Sequence, residues 1–321
     1  MLAETPVPTT ESASSRRTLG VGAWVCVGWL VLLVIVALVG PSLAAAPLST
    51  GNPVTDACGS GDGLPIYDPI SCSDLKAKSE QARPDGPTTS QFTHLLGVDR
   101  GGRDTLSQVL IGTRMTLFIA LVSISLATLI GGALGLIGGY YGGKVGALIS
   151  GVFDVMIAFP ALILALLVVT FYAAEDPSRR VPGIILALVV VATPILGRIA
   201  RAATISWSTR EFVTAARAVG AKSGRILIRE VLPNVAPAMM SIAMLGIGIV
   251  IVTEASLSVI GLGVPADTVS WGSVTGAGAA DFRHYSHLVF VPGVVILVTV
   301  STLNFLGDAL RRKFDVRESV L

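Results

Sequence analysis

Residues able to do chemistry are few in this sequence and rarely stand together. Glu254 interrupts a long apolar stretch and is followed by Ser256 and Ser258. An ionisable group in lipid is costly unless it faces a pore or a partner, so Glu254 and Ser258 are candidates for a solute pathway or for a tie between helices. Asp154 reads as the ion-pair partner of an arginine, and Asp308, followed by Arg311 and Arg312, as the exit cap of the last apolar stretch. Of His94, His284 and His287 only the last two are close, and no cysteines have zinc spacing, so no metal site is expected. Cys58 and Cys72 lie in a polar stretch where they either close a short structural disulfide loop or remain free thiols; Cys26 lies in an apolar run. No Gly-x-x-x-x-Gly-Lys-Ser/Thr loop is present to cradle ATP phosphates, and no catalytic constellation is expected.

The elements that must position these residues are membrane spans. In 321 residues, 52% are hydrophobic and 14% charged, with a mean hydropathy of +0.75, whereas soluble domains carry about 25% charge. A net charge of +2 supplies no basic field for nucleic acid. Conventional cytoplasmic enzymes, disordered chains and nucleic-acid binders are thereby excluded, and an all-α multi-span membrane protein is left.

A helix needs about 20 mostly apolar residues to cross the hydrocarbon core. Six stretches qualify, near Val21–Leu43, Leu110–Ile137, Ala147–Tyr172, Pro182–Ile205, Ala236–Leu262 and Leu288–Leu310. With the N-terminus inside, the cytoplasmic side collects Arg16, Arg17, Lys144, the basic residues from Arg198 to Arg229 and those from Arg311 to Arg317, while the two short outer loops hold only Arg179, Arg180 and Arg283. That asymmetry puts both termini in the cytoplasm. Arg16 and Arg17 before an apolar run ending in Ala44-Ala45-Ala46 also suit a signal peptide, but the run exceeds a signal core and is expected as a retained anchor.

The expected organisation is a cytoplasmic tail at 1–20, a first transmembrane helix at 21–43, an irregular extracytoplasmic segment at 44–109, a five-helix core at 110–310 and a cytoplasmic tail at 311–321. The 44–109 segment is too poor in apolar residues to build a core of its own. Gly131, Gly135, Gly139 and Gly143, spaced by four, would lay a smooth strip along one helix face for close packing. A gating hinge is the other reading.

Seven of the 23 Lys and Arg residues lie between Arg198 and Arg229, in or beside the connection at 201–237. Glu211, Phe212, Thr214, Ala215, Ala216 and Ala218 suit a short helix that Gly220 ends; Ile226, Leu227, Val231 and Leu232 form a second apolar face that Pro233 is expected to stop. Ala215-Ala216, three residues, Gly220, and Leu232-Pro233 after a fixed interval closely resemble the EAA loop of permease subunits from binding-protein-dependent ABC importers. Thr214 stands where that loop usually has Glu, and Glu230 where it has Ile. Glu211 is close enough to substitute for the missing acid.

Other stretches narrow the resemblance to the oligopeptide/dipeptide (peptide/nickel) family, permease C type. His94 to Asp104 is similar to the Gly-Thr-Asp-x-x-Gly-Arg-Asp element before the second span, with Val98 replacing Thr. Glu254 to Val264 with Ser270-Trp271-Gly272 resembles the end of the fifth span, and Asn304 to Arg311 the sixth.

The resemblance implies a six-helix type I importer permease with cytoplasmic coupling helices, in a bacterial plasma membrane. It implies a second homologous permease, one or two ATP-binding subunits that hold ATP and Mg, and an extracytoplasmic solute-binding protein. Glu211, Thr214, Ala215, Ala216, Gly220, Leu232 and Pro233 would couple to the ATPase, and Asp99, Arg100, Arg103 and Asp104 would shape the outer mouth or meet the binding protein. Peptide is the implied solute, with nickel or another small solute as the alternative. A secondary transporter would show repeated halves and broken helices with charged midplane sites, which the sequence lacks.

Overall fold

The computed structural model describes residues 21–44, 96–97, 99, 105–174, 176–266, 268–280 and 282–318. Among these, all regular structure is helical: α1 (Val21–Ala44), α2 (Thr105–Tyr141), α3 (Gly143–Ala158), α4 (Ala161–Tyr172), α5 (Arg180–Ser208), α6 (Glu211–Ala218), α7 (Ser223–Ile226), α8 (Leu232–Val259), α9 (Trp271–Ala280) and α10 (His287–Glu318). Five helical stretches are long and apolar enough to cross a membrane, and α3 with α4 supplies a sixth if that bent pair is counted as one span.

The expected third span is in fact two helices meeting at 90°. Pro160 has no N–H to donate, and its ring keeps Phe159 out of the helical region; Phe159 is extended at φ −81°, ψ 133°. Apolar content across the break is continuous, so hydropathy could not reveal it.

Helices α2 and α5 form the central pair, and the glycine strip is the reason they can approach. Gly135 and Gly139 rest on the backbone and small side chains of Gly197, Ala200, Arg201 and Thr204, and a Cβ at Gly131 would stand 2.5 Å from the Thr193 carbonyl oxygen. Over Gly131, Gly135 and Gly139 the strip therefore packs helix on helix; Gly143, expected to extend it, lies past the end of α2 at φ +50° with nothing within 4 Å of a Cβ. Around the pair, α1 packs on α2 and α10, and α8 packs on α2, α5, α9 and α10. Two hydrogen bonds pin the outer contacts: the Trp29 indole donates to Thr299 Oγ1 at 3.2 Å, and Ser241 Oγ donates to the Gly307 carbonyl at 2.7 Å. The periphery stays apolar, with Trp24, Leu38, Leu148, Phe171 and Phe290 exposed, a surface suited to lipid and not to water.

In the turn entering α5, Asp176 accepts a hydrogen bond from the Ser178 N–H at 2.9 Å. Hydrogen bonds from the Ser178 side chain and backbone hold the Asp176 carboxyl below its ordinary value.

Candidate functional site

The 201–237 segment folds as a helix, a tight turn and a second helix. In α6 only Val213 is fully buried; it packs into the core with Ile226 and Val231 and seats the helix through a single residue. The Arg217 guanidinium lies 5.3 Å from the Tyr140 ring centroid, joining α6 to the end of α2. Glu211 occupies the first turn of α6 and Arg217 the last, both in the sense the helix dipole favours.

Gly220 ends α6 at φ +82°, a region that side chains rarely tolerate. The Ala221 N–H bonds the Ala216 carbonyl and the Gly220 N–H the Arg217 carbonyl, both at 3.0 Å. That Schellman arrangement satisfies the carbonyls a helix end leaves open and fixes the exit angle to α7.

Pro233 does not stop the second helix. The chain runs from α7 through a single π turn at Leu227–Val231 into α8, making one helical stretch from Ser223 to Val259. The wider turn takes up the missing proline N–H: Leu232 N–H reaches back to the Leu227 carbonyl, and the Asn234 side chain donates to the Glu230 carbonyl at 2.6 Å.

This arrangement leaves an apolar strip on the surface. Phe212, Ala215 and Val219 share one face of α6 and its end and are exposed, Val219 by 88%. Thr214, Gly220 and Pro233 are also exposed, while Ala216 and Leu232 are half-buried. A strip of this kind, in a segment that also exposes Arg210 and Arg225, is chemically suited to a protein partner carrying apolar and acidic groups.

The second group of candidate residues lies at the other end of the helices. Asp99 is 3% exposed and accepts a hydrogen bond from Gln108 Nε2 at 3.3 Å, which ties it to the first turn of α2. Arg100, Arg103, Asp104, Cys58 and Cys72 lie outside the described residues. Glu254 is 1% exposed inside this chain; its Oε1 accepts from Ser258 Oγ at 3.2 Å and from Ser270 Oγ at 2.8 Å. Ser256, the other serine near Glu254, instead bonds the Val252 carbonyl. Asp154 pairs with Arg198. Among the described residues no group of His, Cys, Asp and Glu could hold a metal ion.

Sequence reasoning missed α9 and the residues that hold it. Its ten residues are mostly Gly, Ala, Ser and Thr and carry no apolar period. Arg180 was read only as an outer-loop charge, yet it donates to the carbonyls of Gly261 and Gly263 and fastens the end of α8 to the start of α5.

Comparison with known proteins gives a consistent picture. The family model described as binding-protein-dependent transport system inner membrane component matches residues 131–320. The dipeptide transport system permease protein DppC of Alkalihalophilus pseudofirmus is 34% identical over 253 residues, 78% of this chain and 81% of that protein. The glutathione transport system permease protein GsiD of Pectobacterium atrosepticum is 33% identical over 231 residues, 72% of this chain and 74% of that protein. Among solved structures, the inward-facing MetNI methionine ABC transporter in its CY5 native crystal form aligns with a TM-score of 0.56 at 19% identity, over 65% of this chain and 97% of that one.

Proposed function

Because the chain belongs to the family of binding-protein-dependent transport system inner membrane components and has their type I importer permease fold, we propose that it pairs with a second homologous permease to form the translocation pathway of a peptide importer. It is a pore-forming subunit and not the enzyme of the complex. The observation that carries the proposal is the 211–233 segment, a rigid helix–turn–helix that presents an apolar strip outward and continues directly into a membrane-crossing helix.

In this reading Glu211, Thr214, Ala215, Ala216, Gly220, Leu232 and Pro233 form the surface that sits in a cleft of an ATP-binding subunit. One or two such subunits hold ATP and Mg, and their closure moves α6 and α7 as levers. The continuous helix to Val259 tilts with them and exchanges inward for outward openings, a population shift driven by nucleotide. The basic residues gathered between Arg198 and Arg229 support a cytoplasmic location for this segment and for both termini in a bacterial plasma membrane.

At the opposite face, Arg100, Arg103 and Asp104 are the proposed contact for an extracytoplasmic solute-binding protein, with Asp99, buried in this chain, shaping the outer mouth. The hydrogen bond from Gln108 to Asp99 supports a fixed position for Asp99 itself. Peptide as solute is supported by relatives named for dipeptide and for glutathione.

Co-expression with candidate partners tests the proposal. The chain should co-purify with a second permease and an ATPase, and Gly220→Pro should abolish solute-stimulated ATP hydrolysis while the protein still inserts, because proline cannot adopt the positive φ of residue 220. Normal stimulation in Gly220→Pro would refute the lever role.

A further inference from the structure

Helix α9 lies folded back beside the end of α8. After α8, Gly261 at φ +84° turns the chain back on itself, and Gly263 returns to the level of Ser258, where its Cβ would stand 2.9 Å from the Ser258 Cβ. From there α9 climbs alongside α8 in the same direction. Gly272 lies against Glu254, Ala255 and Ser258, and Gly276, one turn later, lies against Ser258 and Val259. The first turn of α9 therefore begins at the depth of Glu254, about 8 Å short of the end of α8 at 1.5 Å per residue.

That buried first turn is gripped from two sides. On the α2 side, the Trp271 backbone N–H donates to Thr116 Oγ1 at 2.9 Å and its indole N–H to the Val109 carbonyl at 3.0 Å. On the α8 side, Ser270 Oγ donates to Glu254 Oε1 while itself accepting from the Ser273 N–H at 3.0 Å. Glu254 Oε2 is buried without a hydrogen-bond partner and presses on Gly272, where a Cβ would stand 2.7 Å from it. An acceptor oxygen at this point lies beside the first turn of the helix, where the dipole is positive and favours it. Any side chain at residue 272 would push the two apart.

We propose that Glu254 is a positioning residue for transport: it grips the first turn of α9 through Ser270 and Gly272 and so passes movement of α8 to α9. The helix that carries Glu254 begins at Ser223 beside the coupling segment and runs without a break to Val259. Glu254 stands about 47 Å along it, so displacement at one end reaches α9 at this carboxyl, beside the backbone contacts of Gly272 and Gly276. The inference rests on the coupling role proposed for residues 211–233.

The test uses the assembled complex in proteoliposomes, with this chain carrying Ala277→Cys, an exposed position on α9, in a background where Cys26, Cys58 and Cys72 are replaced. Labelling by a membrane-impermeant maleimide is timed without nucleotide and with Mg-ATP plus vanadate. The parent should label at clearly different rates in the two states. Glu254→Gln places an NH2 donor where the Oε2 acceptor faces the helix start, and Ser270→Ala removes the shorter hydrogen bond. Each should shrink the nucleotide-dependent rate ratio by up to about tenfold, the upper scale of one hydrogen bond, with ATPase still retained on the affinity column and thermal stability kept. If Glu254→Gln fails to assemble, Ser270→Ala alone decides. A ratio that persists in Ser270→Ala overturns the inference and leaves the coupling role standing; a parent without any nucleotide response overturns both.

Discussion

The packing of α2 on α5 gives a sharp quantitative test. A methyl group added at Gly139 would stand 2.7 Å from the Thr204 Cβ and 2.8 Å from the Arg201 carbonyl oxygen, where ordinary contact begins at 3.4 Å. Both obstacles belong to the facing helix, and the carbonyl cannot rotate away. The helices must therefore separate by roughly 0.5–1 Å along the strip, a gap that forfeits about a quarter to a half of each neighbouring dispersion contact. Overpacking of this kind costs about 1–3 kcal/mol, and no hydrophobic gain offsets it, because lipid solvates the exposed methyl as well as protein does. Gly151→Ala is the matched control: nothing lies within 4 Å of a Cβ there, so the change should be neutral or slightly stabilising through helix propensity. Titration of the purified protein with denaturing detergent, followed by circular dichroism, measures both. Gly139→Ala should unfold earlier by a free energy of about 2 kcal/mol, and equal midpoints for the two variants would refute the argument that the strip exists for close approach.

Two further outcomes can be read in the same assay. Ser241→Ala removes the hydroxyl bound to the Gly307 carbonyl and should cost about 0.6 kcal/mol, at most about 1.7, as interhelical hydrogen bonds in membranes do; no loss at all would mean that α8 and α10 are held by packing alone. Trp271→Phe keeps the buried ring but loses the indole hydrogen bond, and the Val109 carbonyl still accepts from Thr113 Oγ1 at 2.9 Å. About 1 kcal/mol is expected, against about 3–5 kcal/mol for Trp271→Ala, which also opens a cavity.

What the sequence made legible follows from how each feature is encoded. Spans are written in composition, so the helical class and the six apolar stretches could be read directly, and the spacing of Gly131, Gly135 and Gly139 announced close packing before any partner helix was known. The turn at Gly220 was legible because an αL position leaves a glycine behind. The break at Phe159–Pro160 was hidden because the apolar run continues across it, and a proline in a membrane helix is as often tolerated as obeyed. Pro233 shows the converse: read as a stop, it is absorbed by a π turn and by Asn234. Helix α9 left no period to detect, since its ten residues are small and pack by absence of side chain. Glu254 stands out in the sequence as a lone acid in an apolar run, yet its donor Ser270 lies sixteen positions away across a reversal of the chain that no local pattern records.

A π turn holds one residue more than an α turn would, which amounts to an insertion that the helix has accepted without a break. Its effect is one of phase. One residue is worth about 100° of rotation around a helix axis, so the turn at Leu227–Val231 sets the azimuth at which the start of the rod meets its neighbour relative to the azimuth at which Glu254 meets α9. Deleting any one residue of that turn would leave a better helix and a misaimed one, with its two working faces rotated about a quarter-turn out of register.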